Sequence, residues 1–186
     1  MMKENFKLQK VKLLNNGGLS IQYEIVVKSG SETFYDGETV NSARTPHPDL
    51  TAALKRLKTV LMKVYGFDYA LQLEYLSKKA LEDIKEAFQK IENSITVTGI
   101  AISGKDEFRG IITMGVFETE FRNKVAINTH RIIFDGNKYG LEELLNDCAD
   151  TIENECYLYL FEGKRAQLEI PFDEQGELEL ENEPVS

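Results

Sequence analysis

The chain has 186 residues, 42% of them hydrophobic and 28% charged, enough to bury a substantial core and far from disordered or fibrous compositions. No apolar run approaches the ~20 residues of a membrane-spanning helix. The opening Met1-Met2-Lys3-Glu4-Asn5-Phe6-Lys7 lacks the apolar segment of a signal peptide, so a cytoplasmic protein off the membrane is expected. The formal net charge of −9 argues against a basic nucleic-acid footprint spread over the whole surface. Much of that charge is local. Asp173, Glu174, Glu177, Glu179, Glu181 and Glu183 stand together without Lys or Arg, leaving the rest mildly acidic and open to a local basic face. Two cysteines are too few for a disulfide scaffold and suit a reducing compartment.

A strand over 6–14 carries Phe6, Leu8, Val11 and Leu13, and the phase shift between Leu8 and Val11 predicts a bulge. Asn15-Asn16-Gly17-Gly18 is a hairpin turn, because Asn and Gly tolerate positive φ. A second strand over 19–28 puts Leu19, Ile21, Tyr23, Ile25 and Val27 on one face. A third follows over 33–40. The loop Thr45-Pro46-His47-Pro48-Asp49-Leu50 offers Thr45 or His47 as N-cap to a helix reaching about residue 65. That helix buries Leu50, Leu54, Leu57, Leu61 and Val64 and stops at Gly66. A longer helix is expected over 69–92, with Leu73, Leu76, Ala80, Ile84, Phe88 and Ile91 at helical spacing.

The second part repeats this order. Strands are expected over 95–103, with a bulge at Gly99, then over 111–121 and 125–134. A helix over 141–160 buries Leu141, Leu144, Leu145, Cys148, Ile152, Cys156 and Tyr159. Its other faces carry Glu142, Glu143, Asp147, Asp150, Glu153 and Glu155. Residues 168–172 suggest a short last strand, followed by a mobile acidic tail.

The expected fold class is therefore α+β, with antiparallel sheet packed with helices. It reads as two tandem βββα halves (1–67 and 94–172), an inserted linking helix (68–93) and the tail (173–186).

Several motifs come close to known chemistry and fail on one requirement. Gly99-Ile100-Ala101-Ile102-Ser103-Gly104-Lys105-Asp106 has Asp where a phosphate loop needs Ser or Thr, and it runs between strands, with no helix N-terminus to gather the phosphate. Asp135, Asn137 and Gly140 match calcium-loop positions, but Asn146 stands where the bidentate Glu is needed, so the loop reads as a turn before a helix. Cys148 and Cys156 are ~12 Å apart along one helix, which forbids a mutual disulfide and marks them as core. His47 and His130 each follow or close a third strand and are candidate ligand-binding residues. Neither has a Cys or carboxylate at metal-ligand spacing, so no metal, no cofactor and no catalytic residue is expected. Lys55, Arg56, Lys58 and Lys63 make the first helix the one basic surface, opposite in sign to the last helix, which suggests self-association.

Thr45-Pro46-His47-Pro48-Asp49-Leu50, with Ala53-Leu54 and Leu57, resembles a family of phage and prophage proteins without an established activity. Val97-Thr98-Gly99-Ile100 and the late Tyr159, Gly163, Lys164, Arg165, Ala166 and Gln167 fit the same pattern. The resemblance implies a phage or mobile-element origin and carries over no functional residue. The expected function is a non-enzymatic, homo-oligomeric binding protein in DNA metabolism, taking single-stranded nucleic acid or a host or phage protein. Lys55, Arg56, Lys58, Lys63, His47, His130, Asp135 and Asn137 are its candidate contacts. The alternatives are an inhibitor or ligand sponge acting on a host defence system, and an enzyme with scattered carboxylates.

Overall fold

A computed structural model describes residues 5–30, 32–67, 77–104 and 106–166. The expected strand over 168–172, the acidic tail and the start of the linking helix (69–76) lie outside the described residues. The elements are β1 (Phe6–Leu13), β2 (Leu19–Ser29), β3 (Glu32–Ser42), α1 (Pro48–Arg56), α2 (Lys58–Val64), α3 (Lys78–Ser94), β4 (Ile95–Ser103), β5 (Gly110–Glu118), β6 (Lys124–Asn128), β7 (Ile132–Ile133) and α4 (Glu142–Tyr157). No described helix is long and apolar enough to cross a membrane.

The strands form one antiparallel sheet in the order β3-β2-β1-β4-β5-β6, with β7 pairing the start of β5. The fold is α+β, as the alternation of patterns requires. The two runs of strands meet at β1 and β4, which pair only over Lys10↔Ala101, Val11↔Ile100 and Lys12↔Gly99. Both expected bulges are present, as register shifts between Leu8 and Lys10 and between Val97 and Gly99. Each keeps the apolar residues beyond it on the buried face. At the junction the backbones approach so closely that a Cβ on Gly99 would lie 2.2 Å from the Val11 carbonyl oxygen. Only glycine fits there.

One continuous core joins the two runs. It takes Leu8, Val11, Ile21, Ile100 and Ile111 from the sheet, Leu54, Leu57 and Leu61 from α1 and α2, and Leu145, Cys148, Ile152 and Cys156 from α4. Leu61 seats against Gly115 of β5, where a Cβ would stand 2.6 Å from its Cδ1.

Four local expectations need correction. Val27 is 46% exposed, and Val26 is buried in its place. β1 begins opposite Ile25, so Val27 and its partner Phe34 lie past the end of that strand. The first helix is interrupted at Leu57, where bonds tighten from Leu57 N–H to the Leu54 carbonyl (3.1 Å) and from Val60 N–H to the Leu57 carbonyl (3.0 Å). Its stop stands: Gly66 N–H bonds the Lys63 carbonyl and Phe67 N–H the Met62 carbonyl, with Gly66 at φ +70°. The third strand of the second run splits into β6 and β7. Thr113 N–H donates to the Thr129 hydroxyl (3.0 Å), so a side chain takes the acceptor's place and interrupts the ladder. Finally, Glu155 does not face outward from α4; it is 6% exposed.

Gly99→Ala is expected to cost about 3 kcal/mol, the upper end of the overpacking range. Urea unfolding checks this, and an unchanged midpoint would contradict the junction's tight fit.

Candidate functional site

Two places gather polar chemistry, and both are built on α4. The first is a cleft of about 1360 Å³ that begins where β1 and β4 part. Beyond Lys10 and Ala101 the two strands no longer pair, and the gap opens onto the flank of α4. Glu153 reaches into it. Its Oε1 accepts the Leu8 N–H (3.0 Å) and its Oε2 accepts Arg109 Nη2 (3.1 Å). A carboxylate thus plays the acceptor's part that a neighbouring strand otherwise plays. Lys7, Lys10 and Arg109 line the cleft together with Glu24, Asp135, Asp150 and Glu153, so its charge is mixed. Lys7 Nζ lies 5.9 Å from the ring centre of Tyr35, another lining residue.

The second place joins the loop before α1 to the far end of α4. His47 caps α1, its Nδ1 accepting the Asp49 N–H at 3.3 Å. Asp49 Oδ2 lies 3.1 Å from His47 Nδ1 and 2.9 Å from Lys164 Nζ. Lys164 Nζ also bonds Glu155 Oε1 at 2.8 Å. The Lys164 bond, with His47 beside it, holds the Asp49 carboxyl below its ordinary range. Glu155 and then Asp49 push the Lys164 ammonium above its ordinary value. Around this cluster Pro46 bridges to Arg165, Ala166 N–H bonds the Thr45 carbonyl, and the Tyr159 hydroxyl bonds Ser42 Oγ (2.6 Å) and the Arg44 carbonyl (2.7 Å). The segments around Thr45–Asp49 and Tyr159–Ala166, far apart in sequence, form one packed unit.

The residues singled out by sequence are dispersed. Arg56 pairs with Asp147 of α4 (2.5 Å), so the opposite charges of the first and last helices meet within one chain. Lys58 Nζ donates to the Glu92 carbonyl (2.9 Å) and Lys63 Nζ to the Tyr139 carbonyl (3.1 Å). Lys55 is exposed on α1. His130 stands against Tyr139 (ring centres 5.8 Å apart), in a different cluster from His47. Asn137 Oδ1 accepts the N–H groups of Tyr139 (3.1 Å) and Leu141 (3.3 Å), which makes the calcium-like loop a turn leading into α4. Asp135 lines the cleft. Both cysteines are free and buried, and burial raises the pKa of each thiol, opposing thiolate formation.

Sequence reasoning missed Glu153, Glu155 and Lys164. The first two read as part of a solvated acidic face, and only the chain's return beside Asp49 gives Lys164 a partner. No protein-family model matches the chain, and no solved structure matches it.

Replacing Glu153 with Ala leaves the Leu8 N–H and Arg109 without their acceptor. The expected loss is about 1–3 kcal/mol by chemical unfolding, and a change within error would show that the cleft carboxylate is not structural. Asp49 has its native pKa lowered, so its contribution is present above the unfolded value of 3.8 and is lost as pH falls through the native value. Asp49→Asn is therefore expected to melt below wild type near neutrality, the two curves converging in acid.

Proposed function

We propose that this chain is a non-enzymatic binding protein of phage or mobile-element type that takes an extended segment of a partner protein into the cleft between β1 and β4. The observation that carries this reading is the parting of two central strands over a carboxylate that satisfies one strand's N–H. Strand edges that flank a gap offer backbone donors and acceptors to an extended chain, and alternating pockets beside them supply specificity. The mixed lining of Lys7, Lys10, Glu24, Asp135 and Asp150 suits a ligand with both signs of charge. It offers no continuous positive track for a polyanion. The basic helix face supports nucleic-acid binding less well, because Arg56, Lys58 and Lys63 hold bonds within the chain.

Selection from a random peptide display library tests this. Enriched peptides should bind the wild-type chain and lose about tenfold or more in affinity on Ser103→Trp, which fills the cleft beside β4, since burying one large side chain carries a few kcal/mol. Failure to enrich any peptide, or indifference to Ser103→Trp, would refute the cleft. Steeply salt-dependent binding of a single-stranded oligonucleotide, abolished by Lys55→Glu with Arg56→Glu, would return the function to the helix face.

A further inference from the structure

The cluster at the start of the first helix carries a charge imbalance of its own, apart from the cleft. Two carboxylates, Asp49 and Glu155, meet a single ammonium, Lys164. Glu155 is 6% exposed, and its Oε2 is buried without a hydrogen-bond partner among the described residues. A buried carboxylate oxygen left unmatched is costly, and such an atom in a native fold points to a missing cation or donor. Arg165, next along the chain, turns its guanidinium over the Tyr159 ring, 5.4 Å from its centre. One ring nitrogen of His47 and one carboxylate oxygen each of Asp49 and Glu155 lie within 4.8 Å of one another. Tetrahedral ligands on bonds of ~2.1 Å stand about 3.4 Å apart, so small side-chain rotations bring the three into range. The His47 Nδ1–Asp49 Oδ2 separation of 3.1 Å already fits, and a metal on Nδ1 takes the lone pair that otherwise accepts the Asp49 N–H, exchanging the cap bond for a ligand bond.

We infer that His47, Asp49 and Glu155 form a binding site for a divalent transition-metal ion of the zinc type, its place held by the Lys164 ammonium until the metal displaces it. Each element of the site has a physical role. Imidazole and carboxylate together favour zinc over magnesium or calcium, which need more oxygen ligands and tight cages or waters. Glu155 supplies the buried charge, while Asp49, with a side chain 57% exposed, leaves the solvent side open for water to complete the shell. Lys164 follows Gly163 at the end of a π-helical turn (Leu158–Glu162), and its side chain is 30% exposed, so it has a route outward. Metal binding then exchanges one positive charge for two against the same pair of carboxylates.

Calorimetric titration of the full-length chain with ZnCl2 tests the site, with MgCl2 in parallel. Wild type should bind zinc at one ion per chain and magnesium not at all. His47→Ala, Asp49→Asn and Glu155→Gln should each weaken zinc by about tenfold or more, as losing a ligand costs at least what losing its supporting partner does. Lys164→Met should tighten it, because the competing cation is gone, and His130→Ala should leave it unchanged. His47→Ala and Asp49→Asn alter partly exposed side chains, so they keep the test valid if Glu155→Gln fails to fold. Absence of zinc binding, binding that survives both surface variants, equal binding of magnesium, or weaker binding in Lys164→Met would each overturn the assignment.

Discussion

The architecture rests on three residue pairs. Lys10, Val11 and Lys12 of β1 meet Ala101, Ile100 and Gly99 of β4, and through them two hairpin-connected sets of strands become one sheet. The contact is close enough to exclude any Cβ at Gly99, and it is flanked by bulges on both strands. Those bulges do two things at once. They keep Val11 and Ile100 fully buried against the helices, and the one on β1 lies at the Lys10 end of the pairing, where the strands part and the cleft opens. A longer ladder would close the gap over Glu153. The joint and the candidate site are thus consequences of the same short pairing.

α4 is the second constraint, because its polar side chains serve different neighbours. Glu153 faces β1 and Arg109, Glu155 faces the cap of α1 and Lys164, and Asp147 holds Arg56. The exposed Arg56–Asp147 pair contributes little to stability, as surface ion pairs generally do. Glu153 and Glu155 matter more, since removing one partner leaves a buried or half-buried group unsatisfied. The helix that read as a uniform acidic face is a set of internal connections around an apolar stripe of Leu145, Cys148, Ile152 and Cys156.

Much of the local structure was legible in the residues. The Leu8-to-Val11 phase shift and Gly99 announced both bulges, and His47 was one of two candidate caps, the other being Thr45. Gly66 marked the end of the first helix. Errors fell where a distant group decided the outcome. Val27 alternated correctly but lies past the end of β1, and the break after β6 comes from a Thr113–Thr129 bond that no periodicity encodes. The site was the least legible part. His47 and Asp49 are adjacent in the chain, yet the cluster is completed by Lys164, 115 residues beyond Asp49.

What the sequence by itself determined was the class and order of the elements, because hydrophobic period, caps and turn residues act over a few positions. It also set the core stripe of α4 and the inert character of its cysteines. Only the tertiary structure decided which charges meet. Ion pairs, cleft linings and ligand-type clusters depend on distances of a few ångströms between segments that sequence separates, and helix faces look solvated until a neighbour arrives. That is why Glu153 and Glu155, two residues apart and alike in sequence, came to hold different places: one in the gap between strands, the other buried at the base of a cluster with His47, Asp49 and Lys164.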